Sequence, residues 1–537
     1  MICLAPSRLT LGRMNASVRS AAVDGVDAME VIVELDATMG LPSWTIVGLP
    51  ASAVKESRER VNAALTNSGF TVPPRRMTVN LAPADTVKTG TAFDLPIALA
   101  LLIATGQLAQ RALDDLVIVG ELGLDGAIRG VRGMLSIARY VSRLPREHLF
   151  VPRINLEEAA LVATLVRAER VVSCHTLADL VAALRANSLP HPVMPARCAR
   201  AVNADVDFAE VIGQVSAKRA LEVVAAGNHP ALLIGPPGSG KTMLAQRMPT
   251  ILPALSEEEA LEVIAVQSVA GLLIPDTPLP PPRPFRAPHH TISYAGLVGG
   301  GARCPRPGEV SIAHLGVLFL DEIPEYSRRA LEALRQPLED GRVVITRAQR
   351  SVTYPARFTL VGAANPCPCG HAGDPSVPCR CSMREVRRYR ARLSGPLIDR
   401  IDMHVFVGAV PIAALGGSPT RTESSAMIRA RVEAARAIQR RRYSGVLANG
   451  QISGRWLEAN TRVDANARTI LVQAASQFGF SARSYHRVLK VARTIADLAG
   501  DDVVTHGAMA EALLFRPQHS DGIGAAGGGG GDVGRNQ

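Results

Sequence analysis

The most specific chemistry in the chain lies in eight residues, GPPGSGKT, from Gly235 to Thr242. They match the GxxxxGK[ST] pattern, follow an apolar stretch from Ala231 to Ile234 and open a helix-like run, the setting that a phosphate-binding loop requires. Gly235, Pro236, Pro237, Gly238, Ser239 and Gly240 let successive backbone amides turn toward one anion, and the helix N-terminus adds its positive end. Lys241 then reaches the terminal phosphates of ATP and Thr242 ligates Mg²⁺. GVLFLDE supplies a second carboxylate site: the apolar run Val317 to Leu320 ends in Asp321, which holds Mg²⁺ through its water shell, and Glu322, which polarises an attacking water. Together the two motifs imply hydrolysis and not binding alone. Asn365 ends another apolar strand, ARFTLVGAAN, and can orient the lytic water between the motifs. Arg400 follows a loop in SGPLIDRID, and an arginine supplied across a subunit boundary stabilises the charge on a transferring phosphoryl group.

Directly after Asn365, NPCPCGHAGDPSVPCRC places Cys367, Cys369, Cys379 and Cys381 within seventeen residues. The other four cysteines, Cys3, Cys174, Cys198 and Cys304, are scattered singly, so the chain does not read as a disulfide framework. Four thiolates satisfy a closed structural Zn²⁺ site that leaves no position for water, and a metal folds a loop that has little apolar content of its own. Free thiols and a redox pair are the alternatives, since CxC pairs are less usual than CxxC. None of the four is a phosphate ligand. The nucleotide site is therefore expected to be largely intact whether or not metal is bound.

The elements that must position these residues fall into three units, as the length of 537 residues suggests. Residues 15–186 alternate strand-like text (VIVELD, TIVGLP, MTVNLAP) with helix-like stretches at Ser52 to Ser68 and Ala92 to Thr105, and VIVGELGLDGAIRG reads as a hairpin. That is a compact α+β domain. Residues 1–14 read as an extension, with Met14 an equal candidate for the start. Residues 187–207, rich in proline and without periodicity, read as a linker. The P-loop unit spans residues 208–408, an almost wholly helical segment 424–516, and the Gly-rich tail 517–537 is expected to be disordered. The fold class is α/β.

Composition narrows the function. The first residues carry arginines where a signal peptide needs an apolar core, and no run approaches the roughly 18 apolar residues of a membrane helix, so a cytoplasmic protein with no membrane partner is expected. The 59 basic against 48 acidic residues give a net charge of +11, which fits either an acidic partner such as nucleic acid or a solvated surface. Only Lys55, Lys88, Lys218, Lys241 and Lys490 are lysines, so a surviving lysine is often one whose compact ammonium head matters, and two of the five fall in recognisable motifs.

GPPGSGKT, RPFRAPHHT (Arg283 to Thr291), GVLFLDE, NPCPCG and SGPLIDRID, in this order, resemble the magnesium-chelatase-like AAA+ ATPases of the ComM/YifB type, over residues from about 15 to 516. The resemblance implies an AAA+ core that works as a homo-hexameric ring with ATP at the subunit interfaces. It implies that Asn365 is sensor 1, Arg400 the arginine finger and Arg483, in SARSYHRVLKVARTIADL, the sensor 2 arginine of a C-terminal helical lid. Val488, Val491, Ile495 and Leu498 share one face of that helix. Two short strands around Ala348 and Gln349 match the pre-sensor 1 hairpin of this clade, and its Arg342, Arg347 and Arg350 either face a central pore and touch DNA phosphates or sit on an ordinary exposed hairpin. The first unit resembles a Lon-protease-like domain, with Lys88 at the lysine-like end of VKTGTAFDLPIALAL. Ala92 stands where the peptidase has its serine, and without a hydroxyl there is no nucleophile to activate. His289 and His290 either line the pore or cap a core turn. The expected function is an ATP-driven DNA helicase or branch-migration factor in recombination or natural transformation; the alternative is a chelatase-type ring that remodels a protein partner.

Overall fold

The computed structural model describes residues 14–88, 90–144, 148–160, 170–191, 206–273, 281–301, 305–347, 350–373, 377–393, 397–409, 422–443 and 448–516. The N-terminal extension, most of the expected linker, the glycine-rich tail and the hairpin tip at Ala348 and Gln349 lie outside the described residues.

Strands β1 (Met14–Asp24) and β2 (Asp27–Thr38) pair antiparallel, in register from Met14 opposite Ala37 to Asp24 opposite Asp27. Alternation decides which face of β2 is buried: Val31, Val33 and Leu35 point into the core while Glu34 and Asp36 are exposed. Strand β4 (Arg76–Ala82) extends the sheet antiparallel to β2, and β3 (Ser43–Val47) joins β4 in parallel. The helix Asp94–Ala104 packs on this sheet and is apolar almost all round because it is buried almost all round. The expected hairpin forms between Glu121–Leu122 and Ile128–Arg129. Leu116–Ile118, just ahead of it, belongs instead to a parallel three-stranded sheet with His148–Phe150 and Val171–Val172.

The second unit is built on five parallel strands, β5 (Ala231–Ile234), β6 (Phe285–Arg286), β7 (Val317–Leu320), β8 (Thr359–Ala364) and β9 (Met403–Phe406), in the order β6-β7-β8-β5-β9. Helices cover this sheet, so β7 and β8 are buried along their whole length and read as unbroken apolar runs. Strand β5 lies between β8 and β9, where the strand order reverses, and the carboxyl end of such a strand opens the crevice in which α/β sheets bind ligands.

The C-terminal helices share one hydrophobic core with this unit. Val432 of the helix Ser425–Tyr443, and Val488, Val491 and Ile495 of the helix Ala482–Ala499, pack with Val223, Leu233 and Leu244. The N-terminal unit also docks on it: Met134, Ile137 and Ala138 form a cluster with Ile264 and Ala265 of the helix Glu257–Ala270. Among the described residues no helix is long and apolar enough to cross a membrane.

Candidate active site

The P-loop leaves β5 with Ile234 opposite Ala364 on one side and Phe406 on the other. A Cβ on Gly235 would collide with the Val407 carbonyl, so this position admits only glycine. Gly238 and Gly240 have φ of +73° and +87°, the left-handed region that glycine adopts without cost, and the chain then enters the helix Lys241–Ile251. The Lys241 ammonium donates to the carbonyls of Gly235 (2.7 Å) and Pro236 (2.9 Å) and to Asn365 Oδ1 (3.2 Å). Burial pulls its pKa below the ordinary lysine value, opposed by Asp321 and Glu322. The ammonium is thus tied to the end of β8 by the residue expected to position water.

Thr242 Oγ1 donates to Asp321 Oδ2 at 2.9 Å, and the Glu322 amide donates to Asp321 Oδ1 at 2.9 Å. Hydroxyl and carboxylate oxygens side by side are the hard donors that Mg²⁺ takes, so the residues fit this metal. Glu322 itself has φ of +50°, a conformation that costs a non-glycine residue free energy and that clusters at functional sites. Its carboxylate is largely exposed toward a cavity of about 440 Å³, whose walls include Gly238, Lys241, Thr242, Asp321 and Asn365.

One contact of this carboxylate was not foreseen from the sequence. His290 Nδ1 lies 3.8 Å from Glu322 Oε2, with the His289 ring 4.0 Å from the His290 ring and Tyr326 edge-on to it. Tyr326 donates to the Pro288 carbonyl at 2.5 Å and braces the turn. Of the two readings of the histidine pair, neither named this contact; chain separation hides it, and only the adjacency of β6 and β7 brings it about. The arginines of the same stretch are structural: Arg283 holds the carbonyls of Pro253 and Leu315, and Arg286 forms a two-pronged pair with Glu309 (2.6 and 2.8 Å).

Arg400 and Arg483 are not among the residues that line the cavity of their own chain. Arg400 pairs with Glu339 and is only 11% exposed, whereas Arg483 is exposed in the first turn of its helix. Both act electrostatically on Arg487, which places them in one neighbourhood on the flank of the unit. Strands Arg342–Arg347 and Arg350–Pro355 pair antiparallel as expected, with Val343, Ile345, Val352 and Tyr354 buried and Arg342 exposed. The backbones of Arg347 and Arg350 face each other at the end of this ladder. In the N-terminal unit Lys88 is fully buried, its ammonium on the Pro83 carbonyl and on Thr86 Oγ1 (3.2 Å), and burial lowers its pKa.

The four cysteines converge. Sγ separations are 3.3 Å (Cys367 to Cys369), 3.7 Å (Cys367 to Cys379) and 3.5 Å (Cys369 to Cys379), and all four sulfurs, Cys381 included, lie within 4.8 Å of one another. A tetrahedron with zinc–sulfur bonds of about 2.3 Å has edges of roughly 3.8 Å, so the donor set fits Zn²⁺. The backbone amides of Cys369 and Ala372 point at Cys381 Sγ (3.4 Å) and Cys367 Sγ (3.2 Å), as donors that favour thiolates. The cysteine loop also packs against the nucleotide site. A Cβ on Gly370 would sit 2.7 Å from Cγ of Pro237 and nearer still to its Cδ, so the cysteine loop rests directly on the P-loop.

The sheet order and the Lys241, Thr242, Asp321, Glu322 and Asn365 constellation define a P-loop nucleotide-binding protein of the AAA+ type. Residues 207–415 match the family described as magnesium chelatase, subunit ChlI, residues 33–155 match subunit ChlI of Mg-chelatase, and residues 422–516 match the ChlI C-terminal family. Similar over 93% of this chain are the uncharacterized protein YifB of Escherichia coli (42% identical, 96% of that protein) and the competence protein ComM of Haemophilus influenzae (41% identical, 97% of that protein). The 38 kDa magnesium-chelatase subunit of Rhodobacter capsulatus is 29% identical over 30% of this chain and 50% of its own. The chain belongs to the ComM/YifB family of magnesium-chelatase-like AAA+ ATPases.

Proposed function

We propose that the chain is an ATP-hydrolysing motor that works on DNA as a homo-hexameric ring in the cytoplasm, a helicase or branch-migration factor in recombination or natural transformation. The observation that carries the ATPase half is the joining of Lys241 to Asn365 and of Thr242 to Asp321, with Glu322 turned toward the same cavity. The P-loop amides and Lys241 hold the phosphates, and Thr242 and Asp321 hold Mg²⁺, which neutralises charge on the phosphate oxygens when bound. Glu322 accepts the proton of a water that Asn365 orients. Arg400 serves the site of the neighbouring subunit, in keeping with its place outside its own cavity, and Arg483 reaches phosphate from the helical lid. Zn²⁺ on the four cysteines is structural. The N-terminal Lon-like unit has no peptidase role, since Ala92 offers no nucleophile.

The DNA half rests on the likeness to a protein named for competence, on the net charge of +11 and on the Arg342, Arg347 and Arg350 hairpin. ATP turnover with and without forked DNA tests it. DNA is expected to raise the rate, independently of base sequence and less so as salt rises through counterion release. Replacing Arg347 and Arg350 together should leave basal turnover and abolish the stimulation. A flat DNA titration with an active hexamer would overturn this reading in favour of a chelatase-type ring acting on a protein partner.

A further inference from the structure

At the edge of the parallel sheet opposite the nucleotide cavity, the amino ends of the strands surround a second cavity of about 310 Å³. Its floor includes Gly316, which leads into β7, and Thr359, the first residue of β8. Four arginines line it, Arg283, Arg357, Arg436 and Arg440, against one carboxylate, Glu259.

The partners of these arginines cancel only part of their charge: Arg357 and Arg283 meet carboxylates, Glu262 and Glu259, whereas Arg436 and Arg440 meet none among the described residues. Arg283 donates to the neutral carbonyls of Pro253 (2.5 Å) and Leu315 (2.6 Å), and its Nη2 is 3.5 Å from Glu259. Glu259 already accepts from the Ser256 amide in a helix-capping box. Arg436 donates only to the Ala225 carbonyl among the described residues (3.0 Å from Nη2). Arg357 shares Glu262 with His314, at 2.8 and 2.9 Å. Arg440 has no hydrogen bond or ion pair among the described residues. Burial first, then the like charges of Arg283 and Arg440, pull the Arg436 guanidinium down to about 9. A recessed, guanidinium-lined volume with this excess of positive charge is complementary to an anion with several acceptor oxygens, and a guanidinium fork is the donor that recognises phosphate in two-pronged fashion.

We infer that this cavity is a second anion site that takes a small phosphate-bearing ligand of pyrophosphate size, separate from the catalytic nucleotide site. Arg436 and Arg440 come from the helix Ser425–Tyr443, whereas Arg283 and Arg357 precede strands of the sheet, so a bound phosphate ties the C-terminal helices to the sheet.

The test is titration of inorganic pyrophosphate, without Mg²⁺, into the full chain carrying Lys241→Ala, followed by calorimetry and by thermal unfolding. One saturable site per chain and a rise in Tm are expected. Adding Arg440→Gln should weaken binding at least tenfold and remove the Tm rise, while Arg440→Lys keeps part of both. Absence of saturable heat, or binding unchanged by Arg440→Gln, overturns the site. A short oligo-dT that displaces pyrophosphate in an Arg440-dependent way overturns the small-ligand assignment. ATP binding to the Lys241→Ala chain, measured separately, judges the catalytic reading by itself.

Discussion

Gly370 is where the cysteine loop meets the P-loop, and replacing it with alanine gives a measurable coupling between the two. Its φ of +86° costs an alanine about 1–2 kcal/mol. The added Cβ, 2.7 Å from Pro237 Cγ, brings an overpacking cost of about 1–3 kcal/mol against a ring that cannot rotate away. Gly373 provides the control: it has φ of +84° and nothing within 4 Å of its Cβ position, so Gly373→Ala bears the backbone cost without the collision. If the cysteine loop is held in place, the collision is relieved by displacing Pro237 and the amides that follow it. About 2 kcal/mol of steric cost then appears as a loss of roughly 30-fold in nucleotide affinity. Fluorescent ATP-analogue titration of the two variants and the parent chain measures it. Gly370→Ala should bind at least tenfold more weakly than Gly373→Ala at equal zinc content. Equal affinities for the two variants would refute the idea that the cysteine loop supports the phosphate-binding loop.

Lys241→Ala is expected to abolish ATP binding, whereas Glu322→Gln should bind ATP normally and hydrolyse it at least about a hundredfold more slowly; a binding assay beside steady-state turnover separates the two. Purified protein should carry close to one zinc per chain by metal analysis, and Cys379→Ser should lower metal content, Tm and, through Gly370, nucleotide affinity together. Burial, with Arg516 and Arg487 adding to it, holds the His404 imidazole at about 4, below its ordinary 6.5. The unfolded chain therefore binds the extra proton between those values. This contribution is complete above the unfolded pKa and is lost as pH falls through the folded one, a change of about 3 kcal/mol. Tm followed between about pH 4 and 7 should fall less steeply on acidification for His404→Gln than for the parent chain.

The P-loop was legible in the residues because its chemistry is local: the glycines with positive φ, the lysine and the threonine lie within eight consecutive positions, and strand, loop and helix follow without interruption. The antiparallel pairing of Arg342–Arg347 with Arg350–Pro355 was legible for the same reason, since sequence neighbours pair. The four cysteines were visible as a group, with zinc, free thiols and a redox pair as the alternatives; the fold adds that their sulfurs lie within 4.8 Å of one another, an arrangement that fits a metal. What tertiary structure decided depends on strand order and packing. Setting β5 between β8 and β9 joins Asn365 to Lys241 across 124 residues, and pairing β6 with β7 brings His290 beside Glu322. Likewise the contact of Gly370 with Pro237 and the meeting of four arginines beneath the sheet come from segments that no periodicity links. Local sequence specifies the conformation of a loop; which loops touch is set by the burial of a common core, a property of the whole chain.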